Sequence, residues 1–132
     1  MALSAHAYYA RGADVAHGQA LARTCRDGTL RVIGAGHTGL DYPASGLVLF
    51  GLGAWSLLRT DGPAENALRL LVLADRFAYN RLIPTMHWER IAPLLAERAE
   101  PGLLAALREQ YDGNRPPDLL AEVGRAVERL PG

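Results

Sequence analysis

Residues 60–81 read TDGPAENALRLLVLADRFAYNR, and their spacing sets the fold class. Asp61-Gly62 makes a turn, and Pro63 suits a first helical turn, where its missing N–H costs nothing. Ala67, Leu71, Ala74 and Ala78 then recur on one helical face, with Leu70 and Phe77 beside it. Small and bulky residues alternate along that face, so it suits close packing against a neighbouring helix. The segment before it, 44–59, also predicts a helix, with Leu47, Phe50, Ala54 and Leu57 or Leu58 inward. Gly46, Gly51 and Gly53 weaken its intrinsic propensity by up to about 1 kcal/mol each. They are acceptable where another helix lies close against them.

Further helices are expected on both sides. Residues 3–25 are rich in Ala, Leu, Arg and Gln and predict one helix stopped by Asp27-Gly28. Thr29–Ile33 is a short β-like run, followed by four Gly and Pro residues (Gly34, Gly36, Gly39, Pro43). Helices are expected over 86–99, with a kink or restart at Pro93, over 102–111 and over 118–130. About six helices with short connections make an all-α domain of antiparallel hairpins spanning 1–132.

The totals narrow the function classes. Apolar residues are 49%, enough for a core in a chain of 132 residues. The 14 cations are all Arg and balance 14 carboxylates, so direct contact with nucleic acid, which asks for a basic excess, is not expected. The longest apolar run, GLVLFGLGAW at 46–55, is about half of a membrane span. MALSAHAYYARG lacks the basic start and apolar run of a signal peptide. Cys25 is the only cysteine, so no internal disulfide forms, and a reducing cytoplasm is the expected location.

Gly62 followed by Ala67 (+5), Leu71 (+9) and Ala74 (+12) resembles the rhythm of a tetratricopeptide hairpin. The first helix departs from it at Trp55, where a small residue is usual. At larger scale, DYPASGLVLFGLGAW, AENALRLLVLADRFAYNRLIPTMHWER and PGLLAALREQYDGNRPPDLL, within 41–130, resemble the C-terminal helical region of SARP/BTAD-type bacterial transcriptional regulators. In that family, DNA-binding and activator domains, often with a nucleotide-binding switch, precede tetratricopeptide-like helices. The resemblance implies a tetratricopeptide-like α-solenoid that belongs to a larger regulator. It holds a protein partner or the regulator's other domains in its concave face. Neither DNA binding nor ATP hydrolysis is implied, since the sequence shows none of those preceding domains and has no Lys for a phosphate loop.

The candidate sites are few. RFAYNRLIPTMHWER, at 76–90, joins two helices and is crowded with polar aromatics and Arg. It reads first as a rigid elbow and second as a contact surface with Tyr79, Arg81, His87, Trp88 and Arg90, because aromatics and Arg dominate binding hot spots. An alternative is a small-molecule sensor whose apolar pocket is edged by Tyr8, Tyr9, Trp55 and Trp88. Gly34-x-Gly36-x-x-Gly39 matches a dinucleotide fingerprint without its strand–helix–strand context. His6, Asp14 and His17 share a helical face, but a metal site prefers closer spacing such as i, i+4, so they read as a polar stripe or interface histidines. Cys25 and His37 have nothing to bring them together. No catalytic set, metal or cofactor is therefore expected. Self-association into a homo-oligomer stays open.

Overall fold

In the computed structural model, the described residues are 2–34, 42–60, 63–77 and 88–130, and every regular element among them is an α-helix. They are α1 (Ala2–Tyr9), α2 (Ala13–Gly34), α3 (Tyr42–Arg59), α4 (Ala64–Arg76), α5 (Trp88–Arg98), α6 (Leu103–Tyr111) and α7 (Pro116–Glu128). Five lie close to their expected bounds. None is both long and apolar enough to cross a membrane.

The organising element is α4. Ala67, Leu68, Leu70, Leu71, Leu73 and Ala74 are all fully buried. It packs most extensively on α3, and also on α5, α6 and α7. The α3–α4 approach is close because Gly53 has no side chain. A Cβ built there would lie 2.8 Å from Leu71 Cγ and 3.0 Å from the Ala67 carbonyl. Gly51 plays the same part toward α1, where a Cβ would lie 3.3 Å from Leu3 Cβ. Phe50, Leu52, Leu57, Phe77, Ile91, Leu107, Tyr111 and Val127 complete one continuous core.

Two expectations at the N-terminal end are corrected. Residues 3–25 are not one helix: Gly12, at φ +57°, breaks the chain between α1 and α2. Arg59, from the end of α3, stabilises the break. Its Nε donates to the Ala7 carbonyl at 2.9 Å and its Nη2 to the Ala10 carbonyl at 2.8 Å. Those carbonyls lie at the C-terminal end of α1, which has no helical donors left for them.

Neither does Asp27-Gly28 stop α2, nor is Thr29–Ile33 extended. Leu21, Ala22, Cys25, Leu30 and Ile33 continue a helical stripe packed on the core. Thr29 folds into the helix by donating to the Cys25 carbonyl at 2.7 Å. Tertiary packing thus overrides local β-propensity. Pro93 likewise neither restarts nor divides α5. It sits on the exposed side, while Ile91 and Leu95 anchor the helix in the core.

Packing also joins elements far apart in sequence. α2 lies against α7, so the second helix and the last one meet. Asn66, buried in α4, donates from Nδ2 to the Ala126 carbonyl at 3.0 Å, and Arg26 Nη2 reaches the Glu128 carbonyl at 3.4 Å. Both acceptors lie in the last turn of α7, where helical donors have run out.

Candidate functional site

The structure brings together residues that the sequence placed in two different sets. Arg90, on α5, projects toward α1 with its guanidinium 4.6 Å from the Tyr8 ring centroid and 5.0 Å from that of Tyr9. Its Nη2 donates to the Tyr9 hydroxyl. The two tyrosine rings are 6.1 Å apart and tilted by 45°. Tyr8 is half-buried, and burial raises its phenol above the ordinary range against the opposing charge of Arg90. Tyr9 is 58% exposed, the most exposed large apolar side chain described. A cation held against two aromatic faces is attracted by their quadrupoles.

Trp88 starts α5 and packs partly buried against the core. The Arg108 guanidinium lies over its ring at 5.0 Å. Its Nε1 is buried and has no hydrogen-bond partner among the described residues. Trp88 therefore has the packing of a joint residue and one cation-covered face. Tyr79, Arg81 and His87 lie outside the described residues.

Trp55 belongs to a different place. It is 5% exposed, and its six-membered ring rests on Gly18 of α2, where a Cβ would sit only 2.4 Å from Cη2 and Cζ3. The large residue on α3 is thus matched by an absent side chain on α2. Trp55 also lines a half-enclosed cleft of about 250 Å³, together with Leu52, Arg23, Ser56 and Arg59. Tyr8 and Tyr9 close on Arg90 instead.

A polar network that the sequence did not reveal ties α4, α6 and α7 together. Arg69 donates to the Tyr111 hydroxyl at 2.6 Å and pairs with Glu65 at 3.1 Å. The Tyr111 hydroxyl donates to Glu122 Oε2 at 3.1 Å, and Glu122 pairs with Arg125. Burial pushes the Tyr111 phenol up despite Arg69. The Arg125 hydrogen bond pulls the Glu122 carboxyl down, although desolvation opposes it. Nearby, Arg76 Nη2 donates to the Asn114 carbonyl at 2.7 Å. Of these contacts, Glu65–Arg69 at a spacing of four and Glu122–Arg125 at a spacing of three are helical ion pairs that spacing alone allows, whereas the links through Tyr111 are not.

The other flagged residues separate. His6 and His17 meet with ring centroids 5.1 Å apart, but across the α1–α2 hairpin and not along one helix. No group of three or more metal-ligating side chains occurs among the described residues. Cys25 is partly buried, and burial raises its thiol above the ordinary range, which disfavours the thiolate that nucleophilic chemistry needs. His37, Gly36 and Gly39 lie outside the described residues, while Leu30–Ile33 and Gly34 are helical. Set against family models, curated proteins and solved structures, the chain matches none.

Proposed function

We propose that the chain is a non-enzymatic helical contact domain of a bacterial transcriptional regulator of the SARP/BTAD type, tetratricopeptide-like in its α3–α4 hairpin. It binds a protein partner or the regulator's other domains. The observation that carries this reading is the exposed Tyr9 ring beside Arg90, on a scaffold whose other well-placed polar groups join helix to helix. An aromatic ring preset by a cation loses little side-chain entropy on binding, and Tyr and Arg are the residue types that anchor interfaces. Partner binding there would act by population shift, favouring one arrangement of the attached domains over another. The test is co-purification of the chain with the separately expressed DNA-binding and activator parts of its regulator. Capture that disappears in Tyr9→Ala supports the reading, and absence of any capture by the native chain contradicts it.

A second reading is an effector-sensing domain. It is favoured by the cleft beside Trp55, where apolar and polar groups converge. No cofactor is part of either reading.

A further inference from the structure

We propose that the cleft bounded by α2, α3 and Leu130 is a binding site for a small aromatic carboxylate. This gives the effector-sensing reading its ligand class and rests on that reading for its purpose. The volume of about 250 Å³ accommodates a single-ring acid and falls just below the range of roughly 300–1,000 Å³ that drug-sized ligands use. Leu52 and Trp55 provide an apolar wall, and the indole is held in place by its seat on Gly18. A flat ring packs on such a wall with favourable offset or edge-to-face geometry.

The charge of the lining selects the ligand's sign. Arg23 and Arg59 both reach the cleft, and no carboxylate lines it among the described residues. Arg59 uses Nε and Nη2 to hold the end of α1, and its Nη1 makes no hydrogen bond among the described residues. Arg23, on α2, is exposed and reaches the cleft from its solvent side. Two guanidinium groups with no carboxylate beside them in the cleft lining among the described residues raise the local potential and favour an anion. Their planar donor sets suit a carboxylate in particular. Arg59 also links occupancy to the rest of the fold, since the same guanidinium touches α1 and the ligand.

The test uses Trp55 fluorescence in a Trp88→Phe background, with benzoate, benzyl alcohol and inorganic phosphate as probes. Benzoate is expected to change the signal saturably at millimolar concentration or below. Benzyl alcohol and phosphate are each expected to bind at least about tenfold more weakly, because one lacks the charge and the other the ring. Arg23→Gln should weaken benzoate binding about tenfold while leaving the melting temperature unchanged. A benzoate-dependent rise in melting temperature of the unsubstituted chain reads the same event without relying on the Trp88 variant. Absence of saturable benzoate binding, or equal binding of either control, overturns the proposal. Binding that leaves partner co-purification unaffected keeps the site and removes only its sensing role.

Discussion

Three glycines with different surroundings have opposite expected responses to a methyl group. At Gly18 the new Cβ meets the Trp55 ring, and at Gly53 it meets Leu71 and the Ala67 backbone, while at Gly28 nothing lies within 4 Å. Gly18→Ala and Gly53→Ala are therefore expected to destabilise by about 1–3 kcal/mol through overpacking. Gly28→Ala is expected to stabilise by about 0.5–1 kcal/mol, since only the helix-propensity gain operates there. Urea unfolding of the three variants checks both signs. Trp55 was legible in the sequence as a departure from the small-residue rule, but its complement was not. Gly18 stands 37 positions earlier, on another helix, and no local pattern connects the two.

The Tyr111–Glu122 contact makes a prediction in pH. Glu122 titrates below its ordinary 4.5, so its stabilising contribution is present above that value and lost as pH falls through the lowered one. Tyr111 titrates above its ordinary 10.0, so the fold is unaffected by it below 10.0 and weakened as pH rises through the raised value. Melting temperature is expected to fall on both sides of that window. Glu122→Gln should flatten its acid limb and Tyr111→Phe its alkaline limb.

At the scale of elements, helices were legible where one face carried the whole signal. In residues 64–76 the expected face of Ala67, Leu70, Leu71 and Ala74 is buried, and the tertiary fold buries Leu68, Val72 and Leu73 beyond it. The α1–α2 region was not legible for the opposite reason. Its break depends on Arg59, 49 residues away from the Ala10 carbonyl it holds, and its continuation past Gly28 depends on packing against the core. Arg59→Ala is expected to release the end of α1 at a cost of about 1–3 kcal/mol, the usual effect of stranding two charge-assisted hydrogen bonds. Hydrogen exchange should then accelerate in Leu3–Ala10 while α4 keeps its protection. Equal acceleration in both would show that Arg59 supports the whole core and not the α1 joint.

For the whole molecule, the α4-centred core and the contact between α2 and α7 draw helices from both halves of the sequence into one packed unit. The candidate site was legible in part. Aromatic and Arg residues were flagged as the types to watch, but Tyr8 and Tyr9 were grouped with Trp55 in a pocket, whereas they meet Arg90. Sequence spacing gives which residues share a helix face. It does not give which faces meet across 80 residues of chain, and Arg90 lies 81 positions from Tyr9. The most direct measurement compares melting temperature and partner capture in Tyr9→Ala. Tyr9 is mostly exposed, so melting should stay essentially unchanged while capture of the other domains of the proposed regulator is lost. A fall in melting temperature of the size expected for a core substitution, with capture intact, would contradict the account.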